Sequence, residues 1–165
     1  MKRWTFIAWA LTLALAAVGI AGKERLLARG DTVYLKLAPV DPRSLMQGDY
    51  MALNFDIGNQ IRAVEMQDKQ PPRDGVAVIR RDAQGVASFV RVYHGEALAA
   101  GEQLLRYQIA RSRWGATQVQ VSTDAYFFQE GQGERFARAE YGEFRVGADG
   151  QALLVGLRGK GMERL

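Results

Sequence analysis

Trp4-Thr5-Phe6-Ile7-Ala8-Trp9-Ala10-Leu11-Thr12-Leu13-Ala14-Leu15-Ala16-Ala17-Val18-Gly19-Ile20-Ala21 decides how the chain divides. These 18 residues carry no charge, and only Thr5, Thr12 and Gly19 fall outside the hydrophobic class. As a helix they extend about 27 Å at about 1.5 Å per residue, close to the hydrocarbon thickness of a bilayer. Trp4 and Trp9 suit the membrane interface, where an amphipathic ring is favoured. Lys2 and Arg3 precede the run, as in the basic start of a secretory signal. A buried core helix is the competing reading, and a helix apolar all round would need cover on every side. Gly19-Ile20-Ala21 has small residues spaced for signal peptidase, but the run is longer than the apolar core of a cleaved signal. The helical pattern also continues through Lys23-Glu24-Arg25-Leu26-Leu27-Ala28-Arg29 to Gly30, a helix stop. The expectation is an uncleaved anchor over residues 1–29 with a second region at 30–165.

The rest of the composition narrows the function classes. A chain of 165 residues suits one domain rather than two. With no Cys, disulfides, zinc-thiolate sites, thiol nucleophiles and lipid attachment at a cysteine are all excluded. A single His argues against a His-based metal site or a Ser/His triad, and no metal or cofactor is expected. The net charge of +4, from 22 Lys and Arg against 18 Asp and Glu, is too small a surplus to point to nucleic acid. Positive residues flank the apolar run on both sides, Lys2 and Arg3 before it and Lys23, Arg25 and Arg29 after it, so charge counting favours neither orientation. The secretion-like start favours export of everything after residue 22.

Beyond the run the pattern is mostly that of strands. Thr32 to Leu37 alternates, and Tyr50 to Phe55 is a second candidate. Val76 to Arg80 and Val86 to Tyr93 flank Arg81-Asp82-Ala83-Gln84-Gly85, which reads as a hairpin turn. Leu104 to Ala110 and Gln118 to Ser122 follow. Glu143 to Val146 and Ala152 to Leu157 bracket a second turn at Ala148-Asp149-Gly150. One short helix is expected around Gln132 to Glu140, where Phe136 and Ala139 share a face. Gln70-Pro71-Pro72-Arg73-Asp74-Gly75 reads as a loop within one domain. The expected fold is therefore mainly β (α+β): an N-terminal transmembrane helix, then an antiparallel sheet domain, sandwich or barrel-like, with one short helix.

Two stretches depart from simple alternation. Pro39-Val40-Asp41-Pro42-Arg43-Ser44 reads as a turn in which Asp41 is well placed to accept backbone donors, and Gly48 can take a positive φ before the strand expected at Tyr50. Tyr126-Phe127-Phe128-Gln129-Glu130-Gly131 places adjacent aromatics on both faces of a strand, so at least one of them seeks cover from something besides the main core. Gly48-Asp49-Tyr50-Met51-Ala52-Leu53-Asn54-Phe55 resembles the signature of the GDYXXLXY proteins, with Phe55 where the signature ends in Tyr. Pro39 to Arg43, the anchor, Tyr126 to Gly131 and Tyr141-Gly142-Glu143 are similar to that family too, so the resemblance covers nearly the whole chain. It implies a membrane-anchored protein with an extracytoplasmic domain, often encoded beside multi-spanning membrane proteins, and it supplies no catalytic residues. The placement expected is a single pass through a bacterial inner membrane with the C-terminal domain in the periplasm.

The candidate binding residues are Asp41, Arg43, Gly48, Asp49 and Tyr50, with Tyr126, Phe127, Phe128 and Glu130 as a candidate aromatic and acidic patch. Each has a plainer reading. Asp41 and Asp49 suit turn hydrogen bonds, and Arg43 suits an internal pairing with either of them. Tyr50, Leu53 and Phe55 suit packing. His94 suits a strand end, and Glu130 and Glu143 suit pairing with Arg138 and Arg145 rather than joint acid/base work.

Three function classes follow. The first is an accessory subunit without catalysis, bound to the bilayer through residues 4–21 and to a multi-spanning membrane partner. The second is a periplasmic module for a small molecule or glycan, using Trp114, Tyr126, Phe127 and Phe128. Exposed aromatics favour the protein partner, whereas a closed concave pocket favours the ligand. The third is a hydrolase, since an anchor followed by a turn with Pro and Gly-Asp is loosely similar to the start of type I signal peptidases. That similarity implies a Ser before the Pro and a Lys base on a later strand. Here Asp41 precedes Pro42, Ser44 follows it, and Arg91 stands where Lys is wanted; Arg stays protonated and is no base.

Overall fold

A computed structural model describes residues 2–38, 46–47, 50–67, 72–111 and 117–165. The apolar run forms one helix, α1 (Lys2–Arg29), which is long and apolar enough to cross a membrane, with a mean hydropathy of 2.0 in its most apolar stretch. None of that stretch is buried by the rest of the chain, so the reading of α1 as a core helix is excluded. The helix ends where Gly30 N–H donates to the Leu26 carbonyl at 2.8 Å.

Among the described residues ten strands follow, in three antiparallel sheets. The first joins β1 (Asp31–Lys36), β9 (Tyr141–Val146) and β10 (Ala152–Arg158) in the order β1-β9-β10. The second is small, β2 (Met46–Gln47), β3 (Tyr50–Ala52) and β8 (Ala125–Phe127), in the order β2-β3-β8. The third holds β4 (Asp74–Arg81), β5 (Ala87–Val92), β6 (Glu102–Arg111) and β7 (Thr117–Gln120), in the order β5-β4-β6-β7. Single bridges connect them: Tyr34 pairs with Val86 and Leu37 with Phe55. The architecture is thus mainly β behind one candidate membrane helix.

Both expected hairpin turns form for the reasons visible in the sequence. Asp82 takes the Gln84 and Val86 amides at 2.9 Å each, and Gly85 closes the turn at φ +82°. Gly150 sits at φ +83° between β9 and β10, where Gly147 N–H donates to the Gln151 carbonyl at 2.8 Å. The helix expected near 132–140 is a single turn, α3 (Gly133–Phe136), with Phe136 buried and Ala139 packed on the core beside it.

The sequence does not announce a further helix, α2 (Asp56–Glu65). Its buried stripe is Ile57, Ile61 and Glu65, so a carboxylate occupies what would be the third apolar position. Its N-cap is Phe55, whose side chain makes no capping hydrogen bond, so the usual start signal is missing too. Packing supplies what local preference does not: Ile61 is fully buried, and Gly58 lies so close to β7 that a Cβ there would stand 2.9 Å from the Val119 carbonyl. The core continues through Val33, Leu35, Ile79, Leu105, Phe144 and Leu157, all without exposed surface.

An ionic clasp closes one end of the four-stranded sheet. The Glu102 side chain is 3% exposed, and it accepts from Arg91 Nη1 at 2.8 Å, Arg80 Nη2 at 3.3 Å and Ala99 N–H at 3.0 Å. Arg91 Nε also donates to Glu96 at 2.8 Å. Hydrogen bonding to Arg91, then to Ala99, lowers the Glu102 carboxyl below its ordinary range. Glu96 falls to about 2, through its own backbone N–H first and then Arg91. A carboxyl depressed on folding stabilises the native state above its unfolded pKa, about 4.3, and that support fades as it protonates. Stability should therefore decline as pH falls from about 4.3 toward about 2. Denaturant midpoints measured across that window should show a shallower decline for Glu102→Gln than for the wild type; parallel curves would dismiss the clasp as a stabilising device.

Candidate functional site

Met51, Leu53 and Phe55 alternate into the core, at 2%, 3% and 4% exposure. The expectation that Leu53 and Phe55 pack inside is met, and Phe55 meets Phe144 edge-on with ring centroids 5.2 Å apart. Tyr50, on the other phase of the alternation, pairs with Phe127 of β8 in the sheet register. Asp41, Arg43, Gly48 and Asp49 lie outside the described residues, as do Ser44 and Trp114.

The three adjacent aromatics separate as strand alternation requires. Tyr126 and Phe128 both turn onto Phe136 of α3, with centroids 5.2 Å and 5.1 Å from it. Phe127 turns the opposite way and contacts Tyr50 at 5.7 Å. It is 76% exposed, far more than any other large apolar side chain described outside α1. Glu130 is exposed in the turn that leads to α3. The structure thus brings Tyr50 and Phe127 together and leaves Tyr126 and Phe128 as packing.

The polar candidates have other partners than the sequence suggested. Glu143 is held by Arg158, with Nε at 2.8 Å and Nη2 at 2.6 Å, rather than by Arg145. Arg145 instead donates to the Gly30 carbonyl at 3.2 Å and to Thr32 Oγ1 at 2.7 Å. Arg91 belongs to the clasp, and its pKa is raised above the usual Arg value by Glu102 and then Glu96, which keeps it a cation. The His94 backbone N–H donates to Glu96. Among the described residues no group of three or more His, Asp or Glu side chains is placed to hold a metal ion.

One buried polar pair was invisible in the sequence. Glu65, 6% exposed at the end of α2, accepts a short hydrogen bond from the Tyr107 hydroxyl on β6. Tyr107 lies in register opposite Gly75, and a Cβ at Gly75 would fall inside the Tyr107 hydroxyl and ring. Gly75 is therefore the space in which the ring lies. Burial first, then the hydrogen bond to Glu65, pushes the Tyr107 hydroxyl well above the ordinary tyrosine range. Only the pairing of β4 with β6 and the docking of α2 bring these three residues together, and no local pattern signals that.

A search of curated proteins and of solved structures finds no match to this chain. The family comparison does: residues 12–157, from within the apolar helix to the last strand, match the profile described as GDYXXLXY protein. The signature segment supplies the core edge at Met51, Leu53 and Phe55 and the partner of the exposed Phe127, and the chain belongs to the GDYXXLXY family.

Proposed function

We propose that the protein is a membrane-anchored accessory subunit, without catalysis of its own, that docks a multi-spanning partner in a bacterial inner membrane through a domain held in the periplasm. The observation that supports this reading is Phe127: a strand that turns two aromatics inward presents the third to solvent beside Tyr50. Large apolar side chains are costly to leave in water, and aromatic residues are enriched at the centres of interfaces. The ligand-binding alternative has less support, because Tyr126 and Phe128 are already committed to Phe136.

A photocrosslinking side chain at position 127 in the full-length protein tests the docking in native membranes. It should yield an adduct with a multi-spanning membrane protein, whereas the same group at exposed Ser88 on the four-stranded sheet should not. Equal yields from both positions, or none from 127, would sink the docking face. Phe127→Ser should change stability by no more than about 0.5 kcal/mol, as an exposed substitution does. A C-terminal alkaline phosphatase fusion should be active; an inactive phosphatase with a bright C-terminal fluorescent fusion would reverse the orientation.

A further inference from the structure

The last two turns of α1 do not stand free of the β domain. Leu26 is 8% exposed, and its Cδ1 lies 3.2 Å from where a Gly147 side chain would begin. Between these turns and the domain lie two clefts, of about 340 Å³ and about 260 Å³. The first is lined by Arg25 and Arg29 of the helix and by Gly147, Asp149 and Gln151 of the β9–β10 turn. The second is lined by Lys23, Arg106, Gln108, Gln120, Ser122 and Gln151, which also borders the first. Ser122 holds φ +66°, a left-handed conformation unusual for a residue with a side chain.

Charge at the clefts is unevenly matched. Asp149 is engaged by Arg106, through Nη2 at 3.3 Å and through its carbonyl to Nε at 2.9 Å. Lys23, Arg25 and Arg29 form no ion pair among the described residues, and Glu24 is the one carboxylate on this stretch of helix. Depth is fixed by the sequence. The apolar run ends at Ala21, and after Gly22 residues 23–29 rise a further 10 Å or so at about 1.5 Å per residue. That is roughly the layer between hydrocarbon and bulk water, where lipid phosphates lie.

We propose that these paired clefts bind the phosphate of anionic phospholipids, with Lys23, Arg25 and Arg29 supplying charge and Gln108, Gln120, Gln151 and Ser122 supplying neutral donors. The inference rests on α1 spanning the bilayer, and it holds for either orientation of the domain. It differs from general attraction of basic residues to a charged surface because neutral side chains of the domain shape the site.

Native mass spectrometry of the full-length protein released from equimolar phosphatidylcholine and phosphatidylglycerol nanodiscs tests it. The wild type should retain phosphatidylglycerol preferentially. Each of Lys23→Gln, Arg25→Gln and Arg29→Gln should lower that preference up to about fivefold, equivalent to about 1 kcal/mol per surface cation. The double variant Gln120→Leu/Gln151→Leu changes no charge and should also lower it. Undiminished preference in this variant would replace the clefts with diffuse attraction, and equal retention of both lipids by the wild type would overturn the proposal. Preference abolished by millimolar inorganic phosphate, with phosphate adducts in place of lipid, would make the free anion the ligand and reject the lipid. Flotation with pure phosphatidylcholine vesicles after an alkaline wash separates the underlying reading: protein left at the bottom would reject the spanning helix, and the lipid site with it.

Discussion

Phe55→Ala should lower the stability of the detergent-solubilised protein by about 3–5 kcal/mol, the usual cost of emptying a buried aromatic site. The ring is 4% exposed and stands edge-on to Phe144 at an interplanar angle of 72°. It also lies against Gly142, where a Cβ would be 2.8 Å from both Phe55 Cε1 and Phe144 Cε2. Gly142 is therefore the clearance that lets the Phe55 ring, at the start of α2, meet the Phe144 ring on β9. The backbone of Phe55 adds a second duty, since its carbonyl accepts the Gly58 amide at 2.9 Å in the first turn of α2. A domain is commonly stable by about 5–15 kcal/mol, so this one truncation consumes a large share of the total. Urea unfolding would show a lower midpoint with an unchanged slope. A loss under about 1 kcal/mol would mean that neighbouring chains refill the space and that Phe55 is not the junction of the sheets.

Gly75→Val should cost about 2–5 kcal/mol, combining overpacking with the loss of a buried hydrogen bond. The new side chain takes the space of the Tyr107 ring and drives its hydroxyl from Glu65, which leaves a buried carboxylate without its donor. Tyr107→Phe removes the donor alone and should cost about 1–3 kcal/mol. The two changes share one interaction, so their effects should not sum. The pair also has an alkaline signature. A tyrosine whose pKa is raised on folding stabilises the native state fully below its unfolded pKa, about 10, and that support is lost as pH rises beyond it. Unfolding followed above pH 10 should fall more steeply for the wild type than for Tyr107→Phe. Matching slopes, or fully additive costs for Gly75→Val and Tyr107→Phe, would dissolve the link between glycine, tyrosine and glutamate.

What the sequence reveals and what it conceals follow a physical division. Eighteen uncharged residues need no partner to declare a helix, and Asp82 with Gly85 or Asp149 with Gly150 write their turns within a few residues. Strand alternation signalled that at least one of Tyr126, Phe127 and Phe128 faces away from the core, because period-two geometry forces adjacent aromatics apart, and the fold shows it to be Phe127. The helix α2 escaped because its stripe includes Glu65, a residue that reads as solvated until Tyr107, 42 positions later, is brought to it. Burial overrode local pattern there. Likewise Glu143 had two plausible arginines nearby in sequence, and the register of β9 with β10 gave it Arg158 instead.

The joint between α1 and β1 determines how the domain can move. Gly30 is the only residue between them, and its carbonyl is pinned by Arg145 while its amide closes the helix on Leu26. A Cβ at this position would stand 2.5 Å from the Leu26 carbonyl, so the backbone has little room to pivot. Helix and domain are thereby one lever. In a bilayer, a tilt of about 20°, the ordinary inclination of a membrane helix, would swing any point of the domain sideways by roughly a third of its distance from the fulcrum. Any change in that tilt would carry the exposed Phe127 with it, because no flexible link separates helix from domain.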